Sequence, residues 1–433
     1  MKPIVIELLD IDGSKKNLIY DVQRNLLLWE SDNSEVSLSR VGRKYKIPDE
    51  PWEHYTQKKI SPILPGLKKG PFRLVKIQLG LSCNFKCDYC AQSPKENSLE
   101  VRRGANREER ENFVNNLLNY LQVDEHVIFE LWGGEPFLYW ETFKEISESL
   151  LISFPFCKVR TTTNGSLINQ EIFDWILRNE RVEIILSHDG PGTHRDQDVL
   201  DNHYIRKLYT ELFKLNRHLK FNCVLTIDNL SVEEIRKYIA DKLNTSCEYI
   251  LLLTEGLAMP IKQAVSLPSL LDLTGLYREM IDGNSLFIFG NELQDFFDII
   301  SQRKPNVCVE QKCGLDREDV IVVNVKTQDI VTCQNTLPEG RHKLGNLKEI
   351  ESVQLNTAYH WRSRPNCENC PVLNFCRGCC LYLEGESFNR ACLSQFYYRL
   401  PFFSAALYWI TGLTPIKMKS FMGEIDLSEM TLS

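Results

Sequence analysis

The chain has 433 residues, of which 43% are hydrophobic and 25% charged, and its net charge is −7. This length allows two or three domains, or one large α/β barrel with additions. No basic excess indicates a nucleic-acid partner, and we predict none. The apolar stretch 402–411 has only about half of the roughly 20 residues that a membrane span requires, so we predict a buried helix and no membrane association. The first ten residues lack the pattern of a secretory signal, which favours the cytoplasm.

Cysteine is unevenly distributed along the chain. Of the fifteen cysteines, three lie between 83 and 90 and nine between 308 and 392. Thiols of a large chain without a secretory signal stay reduced, so this grouping favours metal or redox chemistry over disulfides. The other three, Cys157, Cys223 and Cys247, stand alone, and we interpret them as small buried hydrophobic residues.

The first 70 residues alternate short apolar runs with polar turn sequences. This pattern predicts a small β-rich domain at 1–70 with antiparallel strands. An edge of such a sheet can bind an extended peptide by strand addition, so one interpretation is a domain that binds the leader of a precursor peptide. A cap on the main domain is the other interpretation, and the sequence does not separate the two.

Between 71 and 285 strands alternate with amphipathic helices. The strands are predicted at 73–81, 127–132, 157–162, 182–187, 221–227 and 248–253, and the helices at 106–121, 140–151, 169–177, 204–215, 232–243 and 270–280. Six βα units in succession predict an α/β fold with a parallel sheet, which we interpret as a partial (β/α)6 TIM barrel. The active site of such a barrel forms at the carboxyl ends of its strands.

Three cysteines, Cys83, Cys87 and Cys90, follow the first of these strands. A 4Fe–4S cluster is usually held by four cysteines, so three thiolates would leave one iron open. A zinc knuckle or three incidental thiols are the alternatives that the residues alone leave open.

Polar, glycine-containing segments follow the next strands. Gly133-Gly134-Glu135-Pro136 comes after the second strand, 163–166 after the third, and 187–191 begins at the end of the fourth. Glycine lets the backbone approach a ligand closely, and the Glu135 carboxylate could receive an ammonium group. We therefore expect these segments to converge on one face of the sheet.

The sequence CNFKCDYC at 83–90 and GGEP at 133–136 resemble the motifs of radical SAM enzymes, and the resemblance covers 71–285. It implies that Cys83, Cys87 and Cys90 hold a 4Fe–4S cluster whose open iron binds S-adenosylmethionine (SAM). An electron from the cluster would then cleave SAM to methionine and a 5′-deoxyadenosyl radical. The residues that the resemblance assigns to SAM binding are Tyr89, Gly133, Gly134, Glu135, Pro136, Asn164 and Ser187.

The second cysteine field, at 307–395, resembles the SPASM extension of peptide- and protein-modifying radical SAM enzymes. The resemblance rests on Cys367-x2-Cys370-x5-Cys376-x3-Cys380 and the trailing Cys392. It implies two auxiliary 4Fe–4S clusters, one held by Cys308, Cys313, Cys333 and Cys380 and the other by Cys367, Cys370, Cys376 and Cys392. Cys379 is a competing ligand for the place of Cys380, and zinc is the alternative metal. A bridging helix is predicted at 286–306 and a helical tail at 396–433.

Two positions depart from the family pattern. Gln328 stands where the family usually has glycine, which predicts a different turn. Gln334 stands where anaerobic sulfatase maturases have a catalytic aspartate after the cysteine. An amide cannot take the proton that their reaction releases, which argues against formylglycine formation.

These features predict a peptide maturase that cross-links a ribosomally made precursor or forms a thioether in it. Its partners would be the precursor peptide and an electron donor such as flavodoxin or ferredoxin. One alternative is a maturase of a folded protein such as a sulfatase or a quinoprotein. Another is a non-catalytic iron–sulfur protein for electron transfer or scaffolding. The sequence assigns no catalytic acid or base.

Overall fold

The computed structural model describes most of the chain: residues 3–22, 26–36, 66–90, 104–192, 194–257, 267–282, 313–355, 364, 366–380 and 383–433. The predicted bridging helix at 286–306 and Cys308 lie outside these described residues. No helix in the described ranges is long and apolar enough to cross a membrane.

The described strands are β1 (Ile4–Leu9), β2 (Lys15–Asp21), β3 (Leu26–Trp29), β4 (Gly66–Leu67), β5 (Phe72–Gly80), β6 (Val123–Gly133), β7 (Lys158–Thr163), β8 (Val182–Ser187), β9 (Lys220–Leu225), β10 (Leu251–Leu257), β11 (Val320–Asn324), β12 (Asp329–Val331), β13 (Lys343–Asn346), β14 (Gln354–Leu355), β15 (Thr414–Ser420) and β16 (Gly423–Asp426). The described α-helices are α1 (Arg107–Tyr120), α2 (Trp140–Ser153), α3 (Gln170–Arg178), α4 (His203–Lys214), α5 (Val232–Leu243), α6 (Thr274–Ile281), α7 (Leu373–Cys376), α8 (Gly385–Thr411) and α9 (Ser428–Thr431).

The main sheet is mostly parallel. Within the described residues its order is β10-β9-β8-β7-β6-β5-β11-β12-β13, and β5 to β10 run parallel in chain order with helices between them. Alternate residues of β5, such as Val75, Ile77 and Leu79, are buried in the hydrophobic core. The six predicted strands and six predicted helices of 71–285 are all present, with bounds shifted by a few residues.

A strand from the second cysteine field extends this sheet. β11 pairs in parallel with β5, from Val320 beside Leu74 to Asn324 beside Gln78. β12 and β13 then continue the sheet in antiparallel fashion. The segment that carries Cys333 is therefore attached directly to the strand that leads into the first cysteine loop.

One face of the main sheet carries a row of charges of alternating sign. Lys76, Glu130, Arg160 and Glu183 lie opposite one another on four neighbouring strands. Lys76 Nζ is 3.2 Å from Glu130 Oε1, and Arg160 Nη2 is 3.0 Å from Glu183 Oε2. Lys220 of β9 ends the row, with Nζ 3.8 Å from Glu183. A charged residue inside each apolar strand is the sequence signal for this row.

Replacing Glu183 by Gln should lower the free energy of unfolding at pH 7 by about 2 kcal/mol, the range for hydrogen bonds to charged groups. Burial raises the pKa of Glu183, but hydrogen bonds from Lys158 and Arg160 lower it more, to about 2. Because this lies below the usual 4.5, the stabilisation is complete above pH 4.5 and is lost as the pH falls toward 2. Urea unfolding at pH 7 and pH 3 should show the difference shrinking, whereas Gln in place of the exposed Glu125 should change stability little at either pH.

A second sheet combines the two ends of the chain. Its order is β16-β15-β1-β2-β3, and β1 lies between β15 and β2, with Ile6 beside Met418. The helical tail predicted at 396–433 is therefore wrong beyond α8, because β15 and β16 follow that helix. Gly412, at φ 75°, ends α8. After it, 414–420 has the alternating pattern of a strand.

This terminal sheet is fixed to the second cysteine field. Asn374 of α7, which lies between Cys370 and Cys376, donates from Nδ2 to the Tyr20 hydroxyl at 2.9 Å and to the Val22 carbonyl at 3.0 Å. These contacts suit the interpretation of the N-terminal strands as a cap. They do not test the interpretation as a leader-binding domain.

Candidate active site

The first cysteine loop leaves the carboxyl end of β5. Cys87 is buried, whereas Cys83 and Cys90 are partly buried. The Cys90 amide donates to the Cys87 carbonyl at 3.1 Å, and the Phe85 amide donates to Cys83 Sγ at 3.4 Å. Burial raises the pKa of the Cys87 thiol to about 12, and the neighbouring Cys90 and Cys83 thiolates act in the same direction. The three thiols are thus close enough to interact, as three ligands of one cluster must be.

The GGEP turn holds this loop through its backbone. The Gly134 amide donates to the Gly80 carbonyl at 3.1 Å, and the Glu135 amide donates to the Ser82 carbonyl at 2.9 Å. A Cβ atom on Gly134 would lie 2.3 Å from Ser82 O and 2.6 Å from Leu81 O. The close approach of two backbones, which requires glycine at this position, brings the two motifs together.

Glu135 is 1% exposed and accepts three hydrogen bonds from the protein. The donors are the Thr163 hydroxyl at 2.6 Å, the Asn164 amide at 2.7 Å and the Phe137 amide at 3.0 Å. Burial raises the pKa of this carboxyl, and the three hydrogen bonds lower it in part. A carboxylate has about four acceptor positions, and these three hydrogen bonds occupy most of those of Glu135. They fix the GGEP turn to the end of β7 and leave about one position for a ligand ammonium.

Asn164, at the end of β7, contacts the cysteine loop. Its Nδ2 atom is 3.0 Å from Asn84 Oδ1 and 3.9 Å from Cys83 Sγ. Its Oδ1 atom accepts hydrogen bonds from the Ser166 amide and hydroxyl at 2.9 and 2.7 Å. Ser187 is the last residue of β8, which lies three strands from β5, the strand that leads into the cysteine loop. The predicted SAM-binding segments therefore lie at the carboxyl ends of β6, β7 and β8.

The segment after β8 also clamps the cysteine loop. The Asp88 amide donates to the His194 carbonyl at 3.2 Å, and the Lys86 amide donates to Asp196 Oδ2 at 3.1 Å. The Tyr89 hydroxyl donates to Asp189. Lys86, Asp88, His194 and Asp196 have no role in the sequence-based prediction, because only the fold brings 194–196 next to the loop at 83–90.

Cys333 is the centre of a second group of thiols. Burial and the nearby Cys380 and Cys313 thiolates raise its pKa to about 12. Lys76 acts in the opposite direction, so this group lies beside the charged face of β5. Three of the four residues predicted for the first auxiliary cluster, Cys313, Cys333 and Cys380, are thus close enough to interact.

A third group of thiols lines one small pocket. Its cysteines are Cys367, Cys370, Cys376, Cys379 and Cys392. Val372, Leu373, Phe388 and Phe396 line the same pocket. A hydrogen bond from the Cys379 thiol lowers the pKa of Cys376. This grouping includes all four residues predicted for the second auxiliary cluster, and it adds Cys379.

The donor sets fit iron–sulfur clusters in their chemistry, since each group supplies at least three cysteine thiols. Most of these cysteines are buried or partly buried, whereas Cys313 is exposed. Among the residues that the structure describes, no three His, Cys, Asp or Glu side chains are arranged to hold a single metal ion. The cluster assignments therefore remain predictions.

A protein-family model described as the Radical SAM superfamily matches residues 77–227, which include the cysteine loop, the GGEP turn and the ends of β7 and β8. This part of the chain is a radical SAM domain. The prediction of a radical SAM enzyme is confirmed, and enzymes of this superfamily use SAM and a 4Fe–4S cluster.

Two curated relatives are similar to this radical SAM enzyme. The serine-type anaerobic sulfatase-maturating enzyme of Klebsiella aerogenes is 23% identical over 362 residues, which cover 78% of this chain and 85% of that protein. The radical SAM cyclopropyl synthase TigE of Paramaledivibacter caminithermalis is 26% identical over 204 residues. That match covers 41% of this chain and spans only 40% of the length of the synthase.

Solved structures share the fold. Native anSMEcpe with bound AdoMet has a TM-score of 0.52 and 19% identity, over 77% of this chain and 98% of that one. Native anSMEcpe with bound AdoMet and Cp18Cys peptide has a TM-score of 0.53 and 18% identity, over 78% and 99% of the two chains. At these identities the likeness shows the fold alone.

Proposed function

We propose that this radical SAM enzyme is a maturase that oxidatively modifies a ribosomally made precursor peptide, by a crosslink or a thioether. The observation that carries the proposal is that the thiols of the second cysteine field fall into two groups. One lies around Cys333, next to strands that extend the main sheet, and the other lies in the pocket of Cys367 and Cys370, beside the terminal sheet. Two further closed clusters could accept an electron from an oxidised substrate. A protein whose chemistry ended with SAM cleavage would not need them.

In this proposal the first cysteine loop binds the cofactor. Cys83, Cys87 and Cys90 would bind the cluster, which with SAM supplies a 5′-deoxyadenosyl radical able to break an unactivated C–H bond. The GGEP turn fixes the loop by backbone hydrogen bonds, and Asn164 contacts both Asn84 and Cys83. Tyr89, Glu135 and Ser187 complete the proposed SAM site. These residues orient the cofactor and exclude water, and we assign no proton transfer to them.

The auxiliary ligands follow the grouping of the thiols. We assign Cys308, Cys313, Cys333 and Cys380 to one 4Fe–4S cluster and Cys367, Cys370, Cys376 and Cys392 to the other. Residues 307–395 would then form a SPASM domain beside a partial barrel built on β5 to β10. An electron donor such as flavodoxin or ferredoxin would supply the reducing electron.

Gln334 supports a peptide reaction other than formylglycine formation. It is buried, and the Cys333 thiol donates to its Oε1 atom at 3.6 Å. An amide at this position cannot serve as the carboxylate base of a sulfatase maturase. The carbon radical on the peptide would instead be consumed by bond formation within the substrate.

Co-expression with a candidate precursor peptide, such as any small peptide encoded beside its gene, tests the proposal. Mass spectrometry should find a peptide lighter by a pair of hydrogen atoms, and the peptide should be unchanged when the enzyme carries Cys83→Ala. A peptide that is unmodified or heavier in the presence of the intact enzyme would reject the oxidative crosslink.

Maturation of a folded protein is the second candidate, favoured by the similarity to the K. aerogenes sulfatase-maturating enzyme over 78% of this chain. A sulfatase-derived peptide incubated with the reconstituted enzyme and SAM separates the two. Formylglycine in that peptide would establish the second candidate, and its absence beside a modified neighbouring peptide would establish the first.

We also propose that the terminal sheet binds the leader of the precursor at one of its edges. Deleting the N-terminal strands is a poor test, because β1 is the central strand between β15 and β2. A precursor with a photocrosslinking group in its leader avoids this problem. Crosslinks to β3 or β16 would support leader binding by strand addition, and crosslinks confined to the main sheet would overturn it.

A further inference from the structure

A buried ion pair lies beside the first cysteine loop. Arg195 Nε is 2.6 Å from Asp189 Oδ2, and Arg195 Nη2 is 3.3 Å from Asp189 Oδ1. The side chains are 14% and 8% exposed. Asp189 Oδ1 also accepts a hydrogen bond from the Val224 amide at 2.9 Å. Charges removed from water in this way persist only when they are paired and well hydrogen-bonded, as these are.

The ion pair contacts the cysteine loop through Tyr89. The Tyr89 hydroxyl donates to Asp189, and the Arg195 guanidinium lies 5.7 Å from the centre of the Tyr89 ring. The Asp88 amide fixes the loop backbone by donating a hydrogen bond to the His194 carbonyl. Tyr89 stands between Cys87 and Cys90 in the sequence, so the ion pair packs against the segment of the loop that carries these two thiols.

We propose that Arg195 and Asp189 set the reduction potential of the cluster assigned to Cys83, Cys87 and Cys90, with Arg195 raising it and Asp189 lowering it. The inference rests on the proposed function, since it requires that cluster. Reduction adds one negative charge to a cluster, so a nearby cation stabilises the reduced form. Because both side chains are buried, solvent and salt screen them weakly. Both are positioning residues, and neither is assigned as a ligand.

Potentiometric titration of the reconstituted full-length enzyme tests this, with dithionite as the one-electron reductant. The signal to follow is the electron paramagnetic resonance signal that changes when SAM is added, because it belongs to the SAM-binding cluster. Arg195→Met should lower the ratio of reduced to oxidised cluster at a fixed potential about tenfold, a negative shift of about 59 mV for one electron. Asp189→Asn should shift the potential in the opposite direction. Arg195→Lys, which keeps the charge, should stay close to the wild type.

Lys86 gives a matched control. It is a cation in the same loop, one residue from Cys87, but it is exposed. Lys86→Met should therefore leave the potential unchanged within the error of the titration.

The opposite signs of the two shifts separate electrostatic tuning from a general structural role. Shifts of Arg195→Met and Asp189→Asn in the same direction, or no shift in either, would overturn the inference while leaving the cluster assignment intact. A Lys86→Met shift as large as that of Arg195→Met would also overturn it. Should Arg195→Met fail to hold iron, a positive shift in Asp189→Asn would support the inference, and a negative or absent shift would reject it. A wild-type enzyme without the SAM-sensitive signal would refute the cluster assignment and the inference together.

Discussion

Replacing Cys83, Cys87 and Cys90 together by Ala should abolish SAM cleavage and leave about eight iron atoms per chain, on the basis of four per 4Fe–4S cluster. The reason is that the three thiols interact with one another and lie apart from the groups around Cys333 and Cys367. Iron and sulfide analysis of the reconstituted protein, with chromatography of 5′-deoxyadenosine, measures both effects.

A matched control removes three other thiols. Replacing Cys157, Cys223 and Cys247 together by Ala should leave about twelve iron atoms per chain and SAM cleavage intact, because four irons enter each of three clusters. The first two are buried and the third is partly buried, and all three lie outside the thiol groups described above. Iron that fell equally in both triple variants would contradict the assignment.

Gly134→Val should separate the GGEP turn from the cysteine loop. A Cβ atom there would lie 2.3 Å from Ser82 O and 2.5 Å from Ser82 C, and neither backbone atom can move aside cheaply. The hydrogen bonds from the Gly134 and Glu135 amides would be lost, each worth about 0.5–1.5 kcal/mol. We expect SAM affinity to fall about tenfold or more, since a loss of about 1.4 kcal/mol is a factor of ten.

Equilibrium binding of SAM to the reconstituted variant measures this loss. Gly192→Ala is the control, because a Cβ atom on Gly192 meets nothing within 4 Å. Unchanged SAM affinity in Gly134→Val, with cluster content equal to that of the wild type, would show that the turn does not position the cofactor.

The βα core could be predicted from the sequence because its signals are local. Alternation within each strand and helical periodicity between strands set the bounds of β5 to β10, and the predicted strand 182–187 coincides with β8. The first cysteine loop and the GGEP turn are short motifs whose meaning depends on spacing alone. Their contact through Gly134 followed from both lying at carboxyl ends of neighbouring parallel strands.

The remaining features depend on pairings between distant parts of the chain. β11 pairs with β5, and β15 pairs with β1, although the local sequence of a strand does not indicate which distant strand it will pair with. The same holds for Arg195, whose proposed role depends on contacts to a loop more than a hundred residues earlier. Spacing also does not reveal the left-handed backbone of Cys379, which has a positive φ of 63°.

The most direct test of the account is deuterium transfer from the peptide. The precursor peptide, produced with deuterium at its carbon-bound positions, is incubated with the reconstituted enzyme, SAM and dithionite, and the 5′-deoxyadenosine is analysed by mass spectrometry. We predict that the deoxyadenosine carries deuterium and that the peptide product has lost a pair of carbon- or heteroatom-bound hydrogens. Unlabelled deoxyadenosine formed alongside a modified peptide would contradict direct attack by the SAM-derived radical on this substrate.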